Sequence, residues 1–251
     1  MTGETIPAGE TPEPRPRDGE RAPRFADWTE YFDREHGSLV DYFRYHLPTL
    51  TKVARHAAGR SRILEAGVGT GLSSIALATE GNRVVAVDID MPVLRGADRR
   101  GRRLEADLSL ARADIARLPF RDDAFDVVFS VGVLEHFEPE LIVAMLREQR
   151  RVASRFVIFT VPSRRAGVRS FGDENLWSWR TWRGYVRRAG LQPFETFGQG
   201  PSRLALLLPL AVWNVLANRF GRGIGFVCAV EPRPWAERHG PGQLKSRLIA
   251  R

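Results

Sequence analysis

Between residues 61 and 163 the chain alternates short apolar segments with helix-like stretches, and that order leaves few folds open. "SRILEAG", "NRVVAVDID", "LSLARAD", "FDVVFSVG" and "SRFVIFTVPS" read as strands, most of them apolar on both faces. Such strands are buried in parallel sheets with helices on each side. The covering helices are Leu72 to about Thr79, "MPVLRGADRRGRRLEA" and "PELIVAMLREQRRVA". Downstream, a helix from about Trp179, capped by Ser178 and ended by Gly190, precedes two more strands, "PFETFGQ" and "IGFVCAVEP". The expected fold is α/β: a doubly wound, mostly parallel, seven-stranded sheet of Rossmann-like form. Ligands of such sheets bind beyond the carboxyl ends of the strands, where strand order reverses.

The rest of the chain divides around this core. Residues 1–24, rich in Pro, Gly and Glu, are expected to be a disordered leader without the apolar segment of a secretory signal. Residues 25–58 repeat aromatic and apolar positions three and four apart. That pattern predicts helix, broken in two at Pro48 and closed by Gly59. Residues 59–231 form the main domain, interrupted near 203–218 by the apolar run "LALLLPLAVWNVLA", and 232–251 read as a loose tail. The run, residues 204–217, is too short to span a membrane. It is read as buried core, a cover over an apolar acceptor, a homodimer interface, or a peripheral membrane contact. The lone Cys228 forms no internal disulfide and shows no metal-ligand spacing. No metal is expected, and a reducing cytoplasm fits.

The net charge of +8 equals the excess carried by residues 147–188, where eleven Arg face Glu148, Asp173 and Glu174. An anionic partner is one reading; a compositional habit is the other, because Lys52 and Lys245 are the only lysines. Trp179, Trp182, Val186 and Ala189 fall on one helical stripe, expected to pack on the sheet with the Arg side chains solvated.

The segment "RILEAGVGTGLSS" carries the chemistry. Gly67, Gly69 and Gly71 let backbone approach a ligand, yet the dinucleotide spacing would need a small residue where Leu72 stands. Glu65, ahead of the turn, would repel a pyrophosphate and suits an ammonium or sulfonium. Asp88 ends the second strand where a ribose hydroxyl pair is usually held. Asp114 is placed to accept from an exocyclic amino group, with Ile89, Ile115 and Leu118 to sandwich a purine, and Ser130 reaches the same edge. A nucleoside site with acidic neighbours and no phosphate-binding lysine points to S-adenosylmethionine.

"ILEAGVGTG", "VVAVDID" and "ARADIARLPFRDDAFDVVFSVGVLEHF" resemble the successive motifs of class I S-adenosylmethionine-dependent methyltransferases over residues 61 to 161. The branch they resemble includes ubiquinone, menaquinone and natural-product methyltransferases. The resemblance implies that Glu65 to Gly71 line the methionine moiety, Asp88 holds the ribose, and Asp114 with Ile115 holds the adenine. It implies that residues 25–58 form a lid over the cofactor, contributing acceptor contacts. Tyr31, His36 and Tyr42 are the candidates there, with Arg180 as a clamp for an anionic group. The family's usual Pro-Gly-Gly turn before the fifth strand is replaced by "VASRF".

His136, just past the fourth strand, is the candidate base or a positioning residue. The expected activity is methyl transfer to a small molecule, an oxygen of a natural product or lipid-like metabolite, releasing S-adenosylhomocysteine. Three alternatives stand beside it. A nucleic-acid methyltransferase would use the Arg-rich face; it is disfavoured because the place of the Asn/Asp-Pro-Pro-aromatic motif reads "SVGVLEHF" and Cys228 lies in a strand. The others are a non-catalytic cofactor-binding partner subunit and an NAD-dependent oxidoreductase.

Overall fold

The computed structural model describes residues 27–34, 39–57, 59–163, 173–199 and 223–230. The leader, His36, the apolar run 204–217 and the C-terminal tail lie outside the described residues. Six helices and seven strands are described: α1 Trp28–Arg34, α2 Leu39–Ala57, β1 Arg62–Ala66, α3 Leu72–Thr79, β2 Arg83–Asp88, α4 Met91–Arg103, β3 Leu108–Arg112, β4 Phe125–Val131, α5 Pro139–Val152, β5 Ala153–Pro162, α6 Trp179–Arg188, β6 Gln192–Gln199 and β7 Gly223–Ala229. They form one sheet in the order β3-β2-β1-β4-β5-β7-β6. Every pairing from β3 across to β5 is parallel, and β7 runs antiparallel to both its neighbours. The doubly wound, mostly parallel sheet read from the sequence is the one observed. With "VASRF" in place of a turn, β5 starts at Ala153 on the residue after α5 ends.

Alternation along the central strands builds a core on each face. Leu64 and Val128 join Ile142 and Leu146 of α5 and Trp182 and Val186 of α6. Ile63, Val127 and Phe129 point the other way, against Leu50 and Val53 of α2 and Leu77 of α3. Successive strand side chains take opposite faces, so an apolar strand feeds two cores at once.

Two local expectations are corrected. Pro48 does not divide the N-terminal helices; it lies buried inside α2, which runs on to Ala57. An interior proline costs about 3 kcal/mol in a helix. Burying large apolar side chains such as Leu50 and Val53 returns about 1.5–3 kcal/mol each, so tertiary packing carries the helix through. Trp179 does not join the buried stripe of α6: it is 38% exposed, whereas Trp182 and Val186 are at 0%. It occupies the first turn, and the Arg183 guanidinium lies 4.5 Å from its ring centroid as a cation–π cover.

His56, near the end of α2, is 3% exposed and packs on Phe156 with ring centroids 4.3 Å apart. Neither ring nitrogen has a hydrogen-bond partner among the described residues. Burial lowers its pKa from 6.5 to about 4, with Glu195 opposing and Lys52, Arg55 and Arg155 adding to the depression. The unfolded chain therefore takes up a proton that the folded one refuses. Its contribution, up to about 3 kcal/mol, is full above the unfolded pKa and fades as pH falls toward the folded one. Urea unfolding from neutral pH down to about pH 4 should show this loss. A His56→Phe variant should flatten the slope in that window.

Candidate functional site

Parallel pairing brings the ends of β1, β2 and β4 to one edge. The turn after β1 is held there by two hydrogen bonds, with Gly67 N and Val68 N donating to Val87 O at 2.9 and 3.0 Å. Gly69 adopts φ 50°, and a Cβ on it would lie 3.0 Å from Cζ of Phe32. Gly71 adopts φ 76°, and a Cβ there would lie 2.9 Å from Cβ of Ala97 on α4. Only glycine satisfies both the left-handed backbone and the clearance. The first glycine lets the Phe32 ring of α1 pack directly on the turn; the second lets α3 start tight against α4.

A cavity of about 470 Å³ opens over this edge. Its lining includes Gly67 and Gly69, six carboxylate residues (Glu65, Asp88, Asp90, Asp114, Glu135 and Glu174), and rings of α1 and α2. No Lys or Arg lines it among the described residues.

Glu65 is 3% exposed and accepts a short hydrogen bond from the Ser74 hydroxyl in the first turn of α3. Burial raises its pKa to about 8; the Ser74 bond opposes the rise and Asp88 adds to it. Tyr42 sits alongside, its hydroxyl 2.8 Å from Ser73 Oγ. Burial and the Glu65 charge push the phenol up to about 12. Asp88 takes a bond from Asp90 N at 3.0 Å, and its pKa is also raised by burial.

At the other end, a single 3₁₀ turn, Leu134–His136, presents Glu135 and His136. His136 Nδ1 lies 2.5 Å from Asp173 Oδ1, and Nε2 lies 4.0 Å from Glu135 Oε1. Burial alone would lower the imidazole, but the Asp173 bond and the Glu135 charge outweigh it and raise its pKa. Glu135 is 3% exposed, and burial pushes it up to about 7 against the opposing His136. Its Oε2 accepts no hydrogen bond among the described residues. Trp28 closes this end edge-on, 4.8 Å from the His136 ring.

The residues singled out in the sequence distribute unevenly over this site. Glu65, Gly67, Gly69, Asp88, Ile89, Asp114, Ile115, His136, Tyr31 and Tyr42 line the cavity. Gly71 does not, and packs helices instead. Ser130 is not among the lining residues; its hydroxyl donates to Gln149 Oε1 on α5 at 3.4 Å. Arg180 is exposed on α6 and does not reach the cavity lining. Asp114 places Oδ1 2.8 Å from Ala116 N, so part of its capacity shapes its own turn.

Sequence reasoning missed Glu135, Asp173 and Glu174, although Glu135 stands beside His136 in "VLEHF". It also missed a clamp behind the purine side. Glu148 accepts from Leu118 N at 3.0 Å, while Arg151 donates to the Leu118 and Phe120 carbonyls and pairs with Glu148 and Asp122. That clamp fixes the 114–122 loop on α5.

Fold and site together define a nucleoside-binding α/β protein with an acidic ligand edge. Residues 63–155 match the family described as Methyltransferase domain. The cypemycin N-terminal methyltransferase of a Streptomyces species is 32% identical over 172 residues, covering 62% of this chain and 67% of that protein. The demethylmenaquinone methyltransferase of Thermobifida fusca is 34% identical over 110 residues, covering 43% of this chain and 47% of that one. The chain thus spans just under half the length of that relative. Magnesium protoporphyrin IX methyltransferase from Synechocystis, solved with bound S-adenosylmethionine, shares the fold at TM-score 0.61 and 18% identity, over 81% of this chain and 91% of that one. The chain belongs to the S-adenosylmethionine-dependent methyltransferase family.

The residues present fit that cofactor. The described lining holds no Lys or Arg and offers carboxylates able to accept from an ammonium, a ribose and an adenine amine. Glu65, Asp88 and Asp114 would hold these in turn. Pairing with the ammonium requires ionised Glu65, so binding should release close to one proton at neutral pH. Affinity for S-adenosylhomocysteine should fall about tenfold per pH unit below the Glu65 pKa of about 8. Calorimetry in buffers of different ionisation heat would measure the proton directly. Glu65→Gln should weaken binding and remove the slope.

Proposed function

We propose that the chain transfers a methyl group from S-adenosylmethionine to a small-molecule acceptor held between α1, α2 and the acidic sheet edge. The observation that carries this is one cavity with two functional ends, cofactor-type carboxylates at Glu65 and Asp88 and, at the other end, His136 held from outside by the half-exposed Asp173. S-adenosylmethionine, when bound, supplies a methyl group on a cationic sulfonium. The chain's own residues position it and the acceptor, keep water out with Trp28, Tyr31 and Phe32, and receive a proton.

His136, aimed by Asp173, is set to take a proton from a nucleophile that has one to lose. That favours a protic heteroatom. Oxygen is the acceptor read from the sequence, while the N-terminal methyltransferase relative makes nitrogen an equal candidate in kind. Because the three carboxylates around His136 raise its pKa, the base is active only above that raised value. Tyr31 is placed to meet the acceptor; Tyr42, tied to Ser73 beside Glu65, serves the cofactor end. A metabolite-methylating enzyme with one buried thiol, Cys228, suits a reducing cytoplasm. Among the described residues no helix is long and apolar enough to cross a membrane.

The test supplies tritiated S-adenosylmethionine, purified protein and fractions of a host extract. Label should appear in a small-molecule fraction and vanish with Asp88→Ala. Label confined to RNA or protein would overturn the small-molecule reading, and cofactor binding without transfer would favour a non-catalytic subunit. With an acceptor in hand, the transfer rate should rise with pH through the His136 pKa. Asp173→Asn should shift that limb toward lower pH by removing the group that raises it.

A further inference from the structure

β3 and β4 are joined by residues 113–124, which lead from the edge strand of the sheet to its centre without a helix. Their backbone groups have no ladder of their own, so wherever they are buried they need partners from elsewhere. Ile115 and Leu118, 8% and 3% exposed, bury the segment in the core shared with Ile142 and Leu146 of α5. Asp114 stands at its upper end and lines the cavity. Its aim is set by the turn that follows: Oδ1 accepts from Ala116 N at 2.8 Å, and its carbonyl accepts from Arg117 N at 3.0 Å.

The lower half of the same segment hangs on one side chain. Arg151, near the end of α5, carries five N–H donors in a rigid fork, and each meets an acceptor. Nε and Nη2 donate to Glu148 at 2.9 and 2.8 Å, and Nη2 also reaches the Leu118 carbonyl at 3.0 Å. Nη1 donates to the Phe120 carbonyl and to Asp122 Oδ1, both at 2.8 Å. Glu148 returns to the segment by accepting from Leu118 N at 3.0 Å, and the Arg151 carbonyl accepts from Asp123 N at 3.0 Å. The bond from Arg151 holds the Glu148 carboxyl below its usual range, against its partial burial, so the clamp stays charged near neutral pH. Neither Arg151 nor Glu148 lines the cavity. The fork acts from behind, fixing a segment that has no rigidity of its own.

Resting on the cofactor reading, in which Asp114 and Ile115 hold the adenine, we infer that Arg151 is a positioning residue for purine selectivity. Aimed by the clamped segment, the Asp114 carboxylate accepts from a 6-amino group and faces a 6-carbonyl acceptor to acceptor. The first is drawn in and the second is turned away. Without the clamp the carboxylate shifts with its turn and reads position 6 loosely. Lysine does not replace the fork, because three donors on a single nitrogen do not serve Glu148, Asp122 and two carbonyls at once.

Arg62 supplies a matched comparison. It holds Asp126 with the same kind of fork, Nη2 to Oδ1 at 2.8 Å and Nε to Oδ2 at 3.3 Å, at the starts of β1 and β4 and so at the sheet edge away from the cavity. The test measures, by calorimetry at a fixed pH, the affinity of the full chain for S-adenosylhomocysteine and for S-inosylhomocysteine, which carries a 6-carbonyl in place of the amino group. The wild-type chain should prefer the adenine ligand at least about tenfold. Arg151→Lys should reduce that preference by at least about threefold, while Arg62→Lys keeps it within about twofold whatever it does to the urea midpoint. A smaller reduction in Arg151→Lys overturns the proposal, as does an equal loss in Arg62→Lys or a wild-type chain without the preference. If Arg151→Lys does not fold, Glu148→Gln, which keeps the shape and removes the charge that holds the guanidinium, is judged by the same ratio. A wild-type chain that binds neither ligand would instead overturn the cofactor reading.

Discussion

The site depends on the parallel pairing of β1 with β2 and β4. Register sets Glu65 beside Ala86 on one side and Phe129 on the other, so all three strands run out at one edge. Groups far apart in sequence then arrive together: Glu65, Asp88 two residues beyond Ala86, and the turn bearing Glu135 and His136 beyond Val131. Antiparallel neighbours would have sent alternate strand ends to opposite sides. The pairing also puts a carboxylate at the centre of a sheet, where burial raises its pKa. Ser74 answers it from α3, so one carboxylate joins strand to helix and faces the ligand edge as well.

Burial of acids runs through the cavity as its organising strain. Tyr42, Glu65, Asp88 and Glu135 all hold protons more tightly than they would in water, chiefly because of desolvation. A sequence optimised for stability alone would put apolar groups there. Their retention makes sense if a ligand brings the missing charge, and the surrounding fold must be stable enough to carry them empty. The two apolar cores on either face of the sheet provide that reserve.

What the sequence disclosed follows from how locally each feature is encoded. The bounds of α3, Leu72 and Thr79, are legible because a glycine turn precedes and a polar turn follows. The doubly wound, mostly parallel sheet is legible because five apolar segments with helical crossovers have few right-handed solutions. Pro48 misled because helix propensity is local and the packing of Leu50 and Val53 is not. Ser130 and Arg180 misled because ending a strand at the right edge does not decide which way a side chain turns, nor does a basic helix reveal its distance from the cavity. Glu174 was invisible for a different reason. It belongs to no motif, and only the fold brings it to Glu135, whose carbonyl accepts from Asn175 N at 2.8 Å.

The charge is segregated, with Arg-rich helices outside and carboxylates within, and ionic strength acts unequally on the two. Exposed charges more than about 8 Å apart are largely screened at physiological salt. Charges inside a low-dielectric cavity keep most of their interaction. Adhesion of polyanions to the basic exterior should therefore fade in a salty cell, while discrimination by the acidic interior persists. The molecule's net charge then describes how it behaves in dilute buffer, and its cavity describes what it selects at physiological salt.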